Sequence, residues 1–292
     1  MKNAKLDTDE DRFFIEKSIC IIGLGLMGGS LALALRGYCS RLIGVDPEPA
    51  TLSLAQQRDI VDVATDNLAE ALVQADLVVL AAPVRSNLAL LEKIPQIHPD
   101  PISIIDLSST KSKIVAAMSQ LPQGFEALGG HPMCGKEKSG LSHADGKLFW
   151  DATFALTATE RTTPALRNLA EQMINIISAK PLWIDAPTHD RWAAATSHLP
   201  YLVSSALAAS TPIEAAPLIG PGFQSTSHLA GSDITMMVDI LTTNRQQVLD
   251  ALTRYRNTLE EIELALKNTS DELPGLLEKA NINYKKLTVT DL

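Results

Sequence analysis

Apolar residues fall into two rhythms along the chain. From Phe13 to Ala186, short and mostly uncharged apolar runs alternate with longer stretches of helical periodicity. The runs are Ile19 to Ile22, Leu42 to Val45, Leu77 to Ala82, Ser103 to Leu107, Phe154 to Thr157 and Pro181 to Ile184. Such runs mark strands buried on both faces, and their alternation with helices predicts an α/β, Rossmann-type, doubly wound parallel sheet. An amphipathic helix is expected between the last two, near Pro164 to Ser178. Beyond Pro187 no strand pattern recurs. The segment His189 to Ser210 is alanine-rich, Gly220-Pro221-Gly222-Phe223 reads as a loop, and helix signals return near Asp233 to Leu241. Val248, Leu252, Tyr255, Leu259, Ile262 and Leu266 then follow at steps of four and three, an apolar stripe that reads as helix-bundle core. The expected organisation is a flexible N-terminus (1–12), a Rossmann-type domain (13–186) and an all-α C-terminal domain (187–292).

The first run leads into a turn that gives the sheet a ligand. Gly23, Gly25 and Gly28 stand at G-x-G-x-x-G spacing between that run and a helix beginning near Leu26 and Met27. Gly23 permits the sharp turn, Gly25 lets a pyrophosphate approach the backbone, and Gly28 lets helix and strand pack closely. The N–H groups at the helix start then face the phosphates. The second run ends in Asp46, 18 residues after Gly28, where an acid accepts hydrogen bonds from the adenosine ribose and repels a 2′-phosphate. NAD is therefore expected rather than NADP; the competing reading of Asp46 is a solvated strand end before Pro47. Ala82 and Pro83 close the third run at its carboxyl end, where ligands of open α/β sheets sit.

Charge and composition narrow the field further. The net charge of −9 comes without a dense basic block, which argues against nucleic-acid binding. Residues 18–35 form an uncharged run near the lower limit for a membrane span, but the four glycines within 23–29 suit a turn better. The acidic segment Met1 to Glu16 is unlike the cationic start of a secretory signal. Cys20, Cys39 and Cys134 are too widely spaced for a disulfide framework or a metal pair, so a reducing cytoplasm is expected and no metal site.

Catalytic candidates gather at the carboxyl ends of the later strands. Asp106-Leu107-Ser108-Ser109-Thr110-Lys111 closes the fourth run and brings Ser109 and Lys111 toward the nicotinamide half of the cleft; taken alone, Ser108 or Ser109 reads as a helix N-cap. Next comes Gly129-Gly130-His131-Pro132-Met133-Cys134-Gly135-Lys136, read as a glycine-rich loop after Ala127-Leu128. A neutral imidazole at His131 is suited to taking a hydroxyl proton while hydride leaves the same carbon.

The glycine turn through Ser30, the Asp106 to Lys111 segment, Gly130-His131-Pro132-Met133 through Ser139-Gly140, and Ser197-His198-Leu199-Pro200 together resemble the prephenate/arogenate dehydrogenase family. The resemblance implies an NAD-dependent oxidative decarboxylation of prephenate to 4-hydroxyphenylpyruvate in tyrosine biosynthesis, or of arogenate to tyrosine. It implies that His131 accepts the C4 hydroxyl proton, Ser109 orients His131 and the nicotinamide, and His198 faces the substrate. A homodimer through the helical domain is implied as well.

The chain departs from the family at His228, where an arginine that grips a substrate carboxylate is usual. Histidine lacks the bidentate fork of a guanidinium. Three readings follow: His228 binds the carboxylate less tightly, Arg191, Lys136 or Arg245 substitutes, or the substrate differs; a plain surface role for His228 is the fourth. Cys134 reads as a small packing residue, with a redox switch as the alternative. Two further functions compete. A β-hydroxyacid dehydrogenase would need a lysine base in Pro187 to Ser210, which has none. A non-catalytic NAD-binding sensor would draw its support from the altered loop.

Overall fold

The computed structural model describes residues 14–136, 138–268 and 272–288; the expected flexible segment 1–12 lies outside them. The chain opens with β1 (Ile15–Ile22), α1 (Leu26–Leu35), β2 (Cys39–Val45), α2 (Pro49–Gln57), β3 (Val63–Thr65), α3 (Leu68–Val73) and β4 (Leu77–Leu80). It continues through α4 (Val84–Ile97), β5 (Ser103–Asp106), α5 (Ser112–Ser119), β6 (Glu126–Pro132), β7 (Thr153–Ala158), α6 (Pro164–Ile176) and β8 (Lys180–Trp183). The remainder is helical: α7 (Ala186–Ala193), α8 (Leu199–Ser210), α9 (Pro221–Ser227), α10 (Ile234–Thr243), α11 (Arg245–Lys267) and α12 (Glu272–Thr288).

The eight strands form one sheet in the order β3-β2-β1-β4-β5-β6-β7-β8. The first six run parallel in the dinucleotide-binding order, β7 is antiparallel to β6, and β8 is parallel to β7. The doubly wound sheet separates two apolar layers. Ile19, Ile21, Leu31, Val79 and Phe154 belong to one; Cys20, Ile43, Val78, Ile104 and Ile114 belong to the other. Adjacent residues of β1 thus point to opposite layers, which is why its sequence reads as continuous apolar rather than alternating.

Two strands differ from the sequence expectation. β3 is three residues of intermediate burial at the sheet edge, too short to leave a hydrophobic run. β6 includes Gly129, Gly130 and His131, a stretch whose glycine content predicts a loop. Those glycines are accommodated because the strand is crowded: a Cβ on Gly130 would come 2.7 Å from the Asp106 carbonyl oxygen and 2.9 Å from the Phe154 ring. His131 therefore stands on a strand, paired with Ala155 of β7.

The chain divides into two compact units, 1–245 and 246–292. In the first, α10 is tied to α4 by Arg85, which pairs with Asp239 at 3.0 Å and donates to Thr242 Oγ1 at 3.0 Å. Gly220-Pro221-Gly222-Phe223 is the start of α9 rather than a loop, with Pro221 at its first turn. In the second unit Val248 is buried, but Leu252, Leu259 and Leu266 of the stripe are exposed. The stripe is not enclosed core within this chain, because two helices supply too little surface to cover it. α12 leaves no clear period in the sequence, because its mixed charge hides it.

The glycine turn shows where space is scarce. Gly23 has φ +94°, and a Cβ on Gly28 would sit 1.9 Å from the Gly23 carbonyl oxygen, whereas a Cβ on Gly25 would meet nothing within 4 Å. Gly28→Ala is expected to destabilise the fold by about 1–3 kcal/mol through forced separation of α1 from β1. Gly25→Ala should cost less than about 1 kcal/mol. Urea unfolding of the two variants checks the order, and equal costs would contradict the packing described.

Candidate active site

The carboxyl edge of the sheet carries the polar groups. At β1, the N-terminus of α1 has no side-chain cap, so its first N–H groups remain available to an anion. At the end of β2, Asp46 accepts from Leu24 N at 2.8 Å and Glu48 N at 3.0 Å, which fixes its carboxylate beside the turn with lone pairs to spare. Ala82 and Pro83 follow β4, and Gly23 packs so closely there that a Cβ would meet Ala82 N at 2.8 Å. The open face over Gly25, the uncapped helix start and the fixed Asp46 together fit the pyrophosphate and ribose of NAD.

At the ends of β5 and β6 the polar groups are buried. Lys111 is fully enclosed, ion-paired to Asp106, with Nζ donating to the Gly130 carbonyl at 2.5 Å. Burial lowers its pKa, opposed by Asp106 and Asp190. Lys111 thus anchors the strand before His131 and does not reach toward a nicotinamide. Ser108 donates to Asp106, and Asn87 Nδ2 reaches both Asp106 Oδ1 at 3.2 Å and Ser108 Oγ at 2.9 Å. Neither Ser108 nor Ser109 caps α5. That task falls to Asp190 of α7, whose Oδ1 accepts Lys111 N at 2.7 Å and whose Oδ2 accepts Ser112 N at 2.8 Å.

His131 is buried, and its Nδ1 lies 2.9 Å from Nε2 of His189, the rings meeting edge to face with centroids 5.1 Å apart. His189 Nδ1 in turn lies 2.9 Å from Asp190 Oδ1. His189 thus holds the Nδ1 side of the His131 ring, and the Ser109 hydroxyl has no hydrogen bond among the described residues. Burial holds the His131 pKa well below 6.5, reinforced by His189, Lys111 and His198 and opposed by Asp190.

His198 joins the same cluster from the end of a π-helical turn, Ala194–His198, between α7 and α8. Asn244 Nδ2 donates to the Asp190 carbonyl at 2.7 Å and stands 3.3 Å from His198 Nδ1. Because Asn244 is the donor, His198 Nδ1 accepts and Nε2 carries the proton, yet that buried Nε2 has no partner among the described residues. Burial brings the His198 pKa down to about 4. His189, Asp190 and Asn244 were not singled out in the sequence; an adjacent His-Asp pair on a helix is too common a pattern to stand out.

The remaining candidates lie on loops. Lys136 pairs with Asp145 Oδ2 at 3.0 Å and borders a cavity of about 590 Å³ that Lys138 and His143 also line. That loop adjoins α1, since Asp145 N donates to Ser30 Oγ at 2.9 Å. His228 is exposed on the turn after α9, its Nδ1 donating to the Ser225 carbonyl at 2.7 Å. Arg191 and Arg245 are exposed as well. Cys134 packs against the apolar layer, and burial lifts its thiol to about 11, which favours packing over redox chemistry. Among the described residues no group of His, Cys, Asp and Glu is arranged to hold a metal ion, and no helix is long and apolar enough to cross a membrane.

Two family models match the chain: the prephenate dehydrogenase nucleotide-binding domain over residues 31–181, and the prephenate dehydrogenase dimerization domain over 185–279. A prephenate dehydrogenase of Lactococcus lactis subsp. cremoris is 32% identical over 275 residues, covering 90% of this chain and 75% of the relative. The crystal structure of prephenate dehydrogenase from A. aeolicus in complex with hydroxyphenyl propionate and NAD+ is similar at a TM-score of 0.85 and 28% identity, covering 93% of this chain and 98% of that one. A Synechocystis arogenate dehydrogenase structure is similar at a TM-score of 0.77 and 32% identity, covering 93% and 100%.

The His131 and His198 imidazoles should both be neutral at pH 7, with His198 titrating near pH 4 and His131 well below 6.5 in NMR titrations. The unfolded chain binds these protons from about pH 6.5 downward while the folded chain does not, so stability should fall as pH drops below that value. Titration of either ring at or above its ordinary value would contradict the burial described.

Proposed function

The chain belongs to the prephenate dehydrogenase family, and from that premise we propose that it carries out the NAD-dependent oxidative decarboxylation of prephenate to 4-hydroxyphenylpyruvate with His131 as the base. NAD, when bound, supplies the hydride acceptor. The observation that carries the assignment is a buried, neutral imidazole at the carboxyl end of β6 whose Nε2 has no partner among the described residues. Such a group accepts the C4 hydroxyl proton as that carbon is oxidised. Loss of the ring carboxylate as carbon dioxide then makes the ring aromatic, which renders the sequence downhill. The protein's part is placement and charge.

The orphaned Nε2–H of His198 is suited to donate to a substrate oxygen, since a buried donor without an acceptor is costly unless a ligand satisfies it. Ser109 is assigned to the nicotinamide side of His131. Lys136 and His228 are assigned to the substrate carboxylates, with Lys136 supported by the cavity it lines together with Lys138, His143 and its own ion-pair partner Asp145. Gly23, Gly25, Leu26, Met27, Gly28, Asp46, Ala82 and Pro83 are assigned to NAD.

Residues 187–292 are assigned to substrate binding and to a homodimer. The match of 185–279 to a dimerization domain and the exposed stripe of α11 support this. Three free cysteines support a reducing, cytoplasmic setting. Arogenate is the second reading, favoured by similarity to the Synechocystis arogenate dehydrogenase.

Initial rates of NADH formation with prephenate or arogenate varied at fixed NAD test the reading: turnover of prephenate is expected, faster turnover of arogenate would select the second substrate, and silence with both would refute the reaction. His131→Ala should lower kcat by about 10²-fold or more with NAD affinity unchanged. Equal loss of both would make His131 structural. Asp46→Ala should narrow the preference for NAD over NADP, and an unaltered ratio would remove Asp46 from cofactor choice.

A further inference from the structure

We propose that His189 and Asp190 form a proton relay behind His131: they fix its tautomer and take up the positive charge that develops when it accepts the substrate proton. This inference rests on the reading of His131 as the base. Its foundation is the line Asp190 Oδ1, His189 Nδ1, His189 Nε2, His131 Nδ1, with 2.9 Å at each of the two hydrogen bonds. All three side chains are buried, His189 and Asp190 to within 3% of full enclosure, so water does not compete for these positions.

The direction of each bond follows from what each atom can do. Asp190 is a carboxylate: burial alone would raise its pKa, but hydrogen bonds from His189, Ser112 and Lys111 bring it to about 2. It can only accept, so His189 Nδ1 donates to it. In a neutral His189 the Nε2 is then an acceptor, and His131 Nδ1 must be the donor facing it. That leaves the lone pair of His131 on Nε2, the atom assigned to the substrate hydroxyl. The opposite tautomer would place a proton where the base must be empty. Asp190 itself cannot turn to offer a different edge, because Lys111 N and Ser112 N at the start of α5 hold both of its oxygens.

The same line can carry a proton. When the substrate O–H bond breaks, a new N–H bond forms at His131 Nε2, and the O–H electron pair becomes part of the new carbonyl as hydride passes to NAD. The Nδ1–H proton of His131 then shifts to His189 Nε2. The resulting imidazolium lies against the Asp190 carboxylate rather than beside Lys111. Lys111 and His198 both oppose charge on His131, whereas Asp190 favours it. Moving the charge one ring outward places it in direct contact with that carboxylate. His189 and Asp190 are positioning residues here, since neither touches substrate.

Two variants separate this from a merely structural role. His189→Leu removes both nitrogens, whereas His189→Gln offers an amide oxygen to His131 Nδ1–H and cuts the link to Asp190. His189→Leu should lower kcat about 10²- to 10⁴-fold, with KM for prephenate and the affinity for NAD little changed. His189→Gln should recover part of that loss. Nitrogen-15 NMR of the wild-type imidazoles, which needs no turnover and no variant, should show His131 protonated at Nδ1 at neutral pH. An Nε2–H tautomer there, wild-type kcat in His189→Leu, or parallel loss of kcat and NAD affinity with no recovery in the Gln variant would each overturn the relay. His131→Ala distinguishes the premise: if it retains turnover the base assignment fails, and if it is inactive while His189→Leu is not, only the relay fails.

Discussion

A lysine sealed from water holds this site together. The side chain of Lys111 neutralises Asp106 at the end of β5 and grips the Gly130 carbonyl of β6, while its backbone N–H is held by Asp190 of α7. One residue therefore sets the strand that carries His131 and the helix that carries His189. Desolvating a charge this completely costs several kcal/mol unless it is well paired. The pairing here is thorough: Asn87, Ser108 and Ser108 N fill the other side of Asp106. Glycine at 129 is part of the same arrangement, because a Cβ there would come 3.3 Å from the Lys111 side chain.

That buried pair explains why the apolar core can be so conventional. The two layers on either face of the sheet are filled by aliphatic side chains and carry the burden of stability, leaving the polar network at the carboxyl edge to fix geometry. A network whose members are almost all satisfied is rigid, and rigidity is what a site that works by placement requires. His198 Nε2 and the Asn87 carbonyl are among the buried polar atoms left without partners. The first stands beside His131 and His189 at the carboxyl edge of the sheet, where a ligand can satisfy it.

Much of the sheet was legible because a parallel strand buried on both faces leaves an unbroken apolar run, as in Ile19 to Ile22. The glycine turn was legible for a related reason, since Gly23 and Gly28 are required by backbone proximity that no other residue tolerates. β6 was not, because Gly129, Gly130 and Pro132 are poor strand formers in isolation. The glycines are set by their neighbours: Asp106 and Phe154 leave no room for a Cβ at 130, and Lys111 leaves little at 129. The site divided along the same line. His131 and His198 stood in distinctive local motifs, whereas the carboxylate that organises them comes from α7, 59 residues beyond His131 in number, and only the fold brings Asp190 to the start of α5. Local sequence carries no trace of such a contact.

Placing His131 on a strand rather than a loop changes what the residue can do. A loop histidine has to be ordered each time substrate arrives, and the entropy of that ordering opposes catalysis. In β6 the backbone of His131 is already fixed by its pairing with Ala155, and its ring is fixed by His189. The cost of the arrangement was met on folding, through the buried Lys111 that secures Gly130 next to it. The sheet thus aims the ring, and His189, from the helical segment that also supplies His198 and Asn244, holds its Nδ1 side.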